Sequence, residues 1–351
     1  VPSSTKTAIL AGVAAVGALL FVFPFATGLI SKTQGVESLT GNLRAAFEPQ
    51  ALEQTRADMN TIQAMADQLQ AQTLPALPAA LEMSPEQFQQ FMGQNFPDVA
   101  TGVGQLDTIL PRFQNLVTGL DAQAPNFRAA DEIPTNFLPS TTVPLLFLIP
   151  GALLVVLAAG ALVFGRNLSR TTLSRATLVA SVVTGLVFVG APWVLSVPAK
   201  ASAVDDLTSA FDQVFTDEGA ASIRADFTVI EKMADQLQTQ TVPALMQGLR
   251  MDPTQFQAFM VENFPAVADG MAQLDDILPR FAGLVTGIDQ NVGNFQQAAS
   301  IPTAEHATTT LTWWFVLPGI ALIILGGAGL LTGTSARDER LASHARTLET
   351  V

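Results

Sequence analysis

The sequence predicts an all-α integral membrane protein: four transmembrane helices arranged as two parallel tandem repeats, each with an extracytoplasmic helical-bundle domain. Three observations predict it. Four long stretches are apolar and uncharged, the chain matches itself at a constant offset, and arginine is concentrated in two short segments.

The apolar stretches are residues 8–30, 143–165, 176–198 and 313–333. Each is long enough to cross a hydrocarbon core of about 30 Å, and none contains a charged side chain. Only 13% of the 351 residues are charged, against about 25% in an ordinary soluble domain. There is no cysteine and no tyrosine, so parts outside the membrane are held by packing without disulfides or thiolate-bound metal.

Shifting the chain by 168 residues aligns it with itself without a gap, and about 48 of 80 positions are identical between 56–135 and 224–303. MADQLQ, NFP and ILPRF occur in both copies, and the match continues into the apolar stretches, where Pro24 aligns with Pro192 and Pro150-Gly151 with Pro318-Gly319. A match this long reads as a duplication. It divides the chain into repeat 1 (1–165), a linker (166–175), repeat 2 (176–333) and a tail (334–351). The first stretch resembles a signal peptide in having Lys6 before it and small residues near its end. Its match at 176–198 is internal, so a retained span is expected.

Two spans per repeat place both copies the same way up. Arg166, Arg170 and Arg175 lie in the short linker and Arg337, Arg340 and Arg346 in the tail. Basic short segments stay on the cytoplasmic side, so both termini are expected inside a bacterial plasma membrane, with domains 32–140 and 200–310 outside. Those domains carry formal charges of −7 and −10, which disfavours nucleic acid and anionic lipid surfaces as partners. Trp193, Trp313 and Trp314 fall at the expected outer ends of their spans, as interfacial aromatics do.

Within the external domains, Ser84-Pro85 and Asp252-Pro253 place a capping side chain before proline, which starts a helix. Phe88, Phe91 and Met92 then share one helical face, as do Phe256, Phe259 and Met260. Such a stripe is expected to fill the core of a bundle, with an apolar-ligand groove as the alternative. Asn95-Phe96-Pro97 and Asn263-Phe264-Pro265 predict a helix end and a new start. The prolines of ILPRF, Pro111 and Pro279, are expected to end or kink a helix, letting Asp107 pair with Arg112 and Asp275 with Arg280.

The chemistry-bearing residues are sparse. His306 and His344 are far apart in the chain, no glycine-rich phosphate loop is present, and the acidic clusters lack calcium-loop spacing. No cofactor, metal or nucleotide is expected. Spans without ionisable groups argue against an ion-coupled transporter. Ala161 with Gly165, and Gly329 with Gly333, have the spacing of close helix packing. The copies differ most in charge where the chain leaves the membrane: Asp205, Asp206, Asp212, Asp217 and Glu218 make an acidic stretch without a basic residue, and its match at 33–55 contains Arg44. Those five are candidate partner-facing residues. The reading is a non-catalytic accessory or scaffold subunit of a larger cell-envelope complex, with other membrane subunits as partners. A carrier or chaperone for lipid or another hydrophobic ligand, and a ligand sensor signalling through a partner, are the alternatives.

Overall fold

The computed structural model describes residues 3–163 and 169–348, with side chains described over 5–163 and 172–332. All its regular elements are helical among the described residues, and four are long and apolar enough to cross a membrane: Thr5–Ala26, Ser140–Val163, Thr172–Val194 and Thr308–Thr332. The chain divides into two compact units, each drawn from both halves of the sequence. Unit 1 comprises Val1–Thr40, Asn126–Thr208 and Asn294–Val351; unit 2 comprises Gly41–Pro125 and Ser209–Gly293.

Unit 1 contains the spanning helices α1 (Ser3–Ala26), α7 (Leu145–Val163), α8 (Ser169–Val194) and α14 (Leu311–Leu348). α1 packs chiefly on α7 and α8 on α14, and smaller contacts of α7 with α8 and of α1 with α14 close the ring. Two spans end earlier than the hydropathy pattern suggests. α1 stops at Ala26, where Gly28 adopts φ +67°, and α8 stops at Val194, where Ser196 adopts φ +54°. Left-handed residues end a helix, but Leu29-Ile30 and Leu195 beside them are apolar, so composition alone runs across both breaks.

The centre of the four-helix ring is aromatic. Phe147 lies 4.4 Å from Phe315 and 4.9 Å from Phe23, and Phe188 completes the group at 5.5 Å from Phe315. Phe147 is fully enclosed, and in a membrane such rings hold helices together by close packing. The spanning helices come into close backbone contact at glycines such as Gly151 and Gly185.

Unit 1 also holds the start of α2 (Leu29–Leu43), most of α9 (Val197–Ala210), and two loops that lead into the second and fourth spans. Lys32 Nζ donates to the carbonyls of Ser300 and Pro302 at 2.8 and 2.9 Å. Lys200, 168 residues on, donates to Glu132 and Pro134, which themselves match Ser300 and Pro302. Each half thus fastens the loop of the other, in the manner of an isologous dimer. Burial pushes the Lys32 amine below its ordinary pKa. Glu37 accepts from the Ser140 N–H at 2.7 Å, and Asp205 accepts from Thr308 N–H at 2.8 Å and from Thr309.

Unit 2 is a bundle of α3 (Pro49–Gln68), α4 (Leu74–Ala80), α5 (Pro85–Asn95) and the unit-2 part of α6 (Pro97–Asp131), together with α10 (Asp217–Gln236), α11 (Val242–Gly248), α12 (Pro253–Asn263) and the unit-2 part of α13 (Pro265–Ala299). Ser84 and Asp252 form complete capping boxes with Gln87 and Gln255, so α5 and α12 start where predicted, and α6 and α13 start at Pro97 and Pro265. Pro111 and Pro279 do not end these helices: α6 and α13 run through them. Tertiary packing on both sides overrides the cost of a missing backbone hydrogen bond.

One core joins the halves, with Ile62, Met65, Ile109 and Phe113 packed among Ile230, Met233, Ile277 and Phe281. The helix ends are satisfied across the same core. Gln68 Oε1 accepts from the Ala266 and Val267 N–H groups at the start of α13, and Gln236 Oε1 accepts from Asp98 and Val99 at the start of α6. First-turn donors have no partner inside their own helix; here the other half supplies one.

Candidate functional site

The predicted stripes are in the core of unit 2. Phe88, Met92, Phe256 and Met260 are buried, and Phe91 and Phe259 are half-buried against them. Phe91 meets Phe96 edge to face at 5.6 Å, and Phe259 meets Phe264 likewise at 5.9 Å. Phe88 and Met92 also form one wall of a cleft of about 750 Å³ between α4, α5 and α6, a size within the roughly 300–1,000 Å³ of small-ligand sites. Pro78, Ala79, Val103 and Gly104 supply the opposing surface. A side-chain carbon built on Gly104 would meet nothing within 4 Å, so this residue opens onto free space.

A second, smaller cavity lies in unit 1 among Leu29, Val197, Ile133 and Ile301, with a volume of about 60 Å³. Its lining is apolar and it is too small for a typical ligand. Two further voids within the unit 2 core measure about 20 Å³ each.

The ionic pairs differ from the local ones expected. Arg112 does not pair with Asp107 but bonds Asp226 at 2.8 Å, and Arg280 bonds Asp58 through Nε and Nη2 at 2.6 and 2.8 Å. Asp107 and Asp275 instead accept from Gln70 and Gln238. Because α6 and α13 continue through their prolines, a carboxylate five residues before the arginine lies on another face. Asp58 is 1% exposed and Asp226 14%, so both anions need partners from the opposite half. The hydrogen bond to Asp58 holds Arg280 above the usual guanidinium pKa. Arg56 pairs with Asp121, and Arg224 with Asp289, within their own halves.

The acidic stretch is not uniform. Asp205 is committed to the turn at Thr308, as Glu37 is to the turn at Ser140. Asp206, Asp212, Asp217 and Glu218 are exposed; Asp206 belongs to unit 1 and the other three to unit 2. Asp217 and Glu218 stand in the first turn of α10, where a carboxylate is stabilised by the helix dipole.

Of the small residues predicted to pack, Ala161 is buried with Leu10 and Leu178, and Gly329 faces Leu178. Gly165 and Gly333 lie outside the residues whose surroundings are described. Close backbone approaches also occur elsewhere, at Gly17 with Gly151, at Gly185 with Gly319 and at Gly326 with Leu178. Sequence reasoning passed over them because only Gly151 and Gly319 stand out, beside prolines, and their partners carry no local signal.

Among the described residues no three of His, Asp and Glu are placed to hold a metal ion. His306 is exposed, with Nδ1 2.9 Å from the Thr303 hydroxyl. The arrangement offers surfaces and an apolar cleft, and Asp58, the most buried carboxylate among the described residues, is already in an ion pair. No protein-family model matches the chain, and neither a curated protein nor a solved structure matches it.

Proposed function

We propose that the chain is a non-catalytic scaffold subunit of a bacterial cell-envelope complex, an internal dimer made by tandem duplication. Its two hairpins enter the plasma membrane in parallel, with both termini cytoplasmic and the helical unit outside. The observation that supports this most is reciprocity. Lys32 and Lys200, Gln68 and Gln236, and Arg112 and Arg280 each bind the opposite half at positions 168 residues apart. Polar groups of this kind fix how two halves assemble, and they are spent on assembly without forming a reaction centre. Exposed carboxylates at Asp206, Asp212, Asp217 and Glu218 stand where the first half has Ser38, Arg44, Pro49 and Gln50, a difference in surface charge that suits an asymmetric partner.

Gentle detergent extraction from the native membrane, followed by mass spectrometry, tests the role. A protein partner should co-purify in fixed ratio, and changing those four carboxylates to amides should reduce its recovery without lowering the thermal midpoint of the isolated chain. Recovery of the chain with no stoichiometric protein would overturn the scaffold reading. The topology is tested separately by single introduced thiols, for which the cysteine-free sequence is suited. Thiols at Gln89 and Gln257 should react with an impermeant reagent on intact cells, whereas one at Ser169 should not; labelling at only one of the first two would exclude the parallel arrangement.

A further inference from the structure

The cleft between α4, α5 and α6 belongs to the first half of the chain, and its lining differs from the matched positions of the second half. At five of its lining positions the second half has a different side chain: Val242 for Leu74, Met246 for Pro78, Gln247 for Ala79, Met271 for Val103 and Ala272 for Gly104, the last four of them larger or longer than their matches or, at Met246, more flexible. Met246 and Met271 pack onto the core, as flexible methionines do when they fill gaps. Phe88, Met92, Pro75 and Pro85 of the cleft are unchanged in their matches. The same framework therefore carries bulkier or more flexible side chains at these positions in the second half, where Val242, Phe256, Met260 and Met271 border a cavity of only about 50 Å³.

We infer that the first-half cleft binds the hydrocarbon chain of a single-chain lipid whose head group is uncharged or cationic. Its volume and apolar walls suit one alkyl chain, and no lining residue is charged. Gln89 is exposed, with an amide that has no partner among the described residues, leaving it to hydrogen-bond a head group. Charge selects the head. The acidic groups adjoining the lining are Glu82 and Glu86, next to Met83 and Pro85, and Asp107, which holds Gln70. Hydrogen bonds from its backbone and from Ser84 hold the Glu86 carboxyl below its ordinary pKa. An anionic head would meet repulsion from this rim.

The test uses the full chain in phosphatidylcholine nanodiscs with photoactivatable analogues of 1-oleoylglycerol, oleylamine and oleate, and reads the crosslinked peptides by mass spectrometry. The glycerol and amine probes should label the α4 to α6 segment of the first half, with oleate labelling it less. Ala79→Gln combined with Val103→Met and Gly104→Ala should reduce that labelling by about tenfold, the loss expected when a few methylene contacts disappear. Ala79→Gln alone, at an exposed position, should give a smaller loss in a chain whose folding is not in question. The reverse pair, Met271→Val with Ala272→Gly, should create labelling in the second half. Labelling confined to the spanning helices, labelling unchanged by the filling substitutions, or oleate labelling as strong as that of the other probes would overturn the inference.

Discussion

Arg280→Ala should lower the stability of the folded chain by about 2–3 kcal/mol, toward the lower end of what breaking a buried ion pair costs. The loss is large because Asp58 is 1% exposed and would keep only the Gln54 amide, 2.8 Å from its Oδ1. It is not larger because Arg280 itself is 41% exposed and already shares its charge with solvent. The matched pair provides the comparison. Arg112 reaches Asp226 through a single nitrogen, and that carboxylate is more exposed, so Arg112→Ala should cost about 1 kcal/mol, as partly wet pairs do. Unfolding midpoints of the two variants in one detergent would check the order. The double variant Asp58→Leu with Arg280→Met should recover most of the loss, since an apolar pair of similar volume replaces a buried ion pair at little cost. If the two single substitutions were equally mild, the burial of Asp58 would not be what makes its pair strong.

That pair also marks where sequence reasoning stops. Ser84 and Asp252 were legible as helix starts because a cap and its proline are neighbours in the chain, and the spans were legible because length and apolarity are properties of one segment. Asp58 and Arg280 are separated by 222 residues. The aspartate repeated in both copies, Asp275, invites a local pairing that the continuous helix α13 forbids. The offset of 168 held the clue, since two identical motifs that each place an arginine and an aspartate can satisfy one another reciprocally. The cleft was half legible in the same way. Its Phe88 and Met92 wall follows from helical spacing, whereas Gly104 and Ala79 become informative only when α4 and α6 are seen to face one another.

The largest effect in unit 1 is expected at Gly151. A side-chain carbon there would lie 2.7 Å from the Phe21 backbone nitrogen and 2.8 Å from the Gly17 carbonyl oxygen. Neither can turn aside as a side chain does, so α1 and α7 would have to separate. Separation would open the Gly17 contact with Leu154 and disturb the packing of Phe147 on Phe23 directly behind it. In a membrane, where lipid is as apolar as the helices, close packing of this kind supplies much of the association energy. Gly151→Val should therefore cost about 3 kcal/mol or more, at the upper end of overpacking effects. Gly319→Val should behave alike, because its added carbon would meet the Gly185 carbonyl oxygen at 2.9 Å. Gly12→Ala should be milder, since its added methyl meets only the movable Leu325 side chain, and Gly327→Val should be nearly silent, because a carbon there meets nothing within 4 Å. Thermal midpoints of the four variants in matched micelles give the ranking. A Gly327 variant as unstable as the Gly151 variant would mean that helix propensity or detergent, and not the glycine crossing, sets the stability of the four-helix ring.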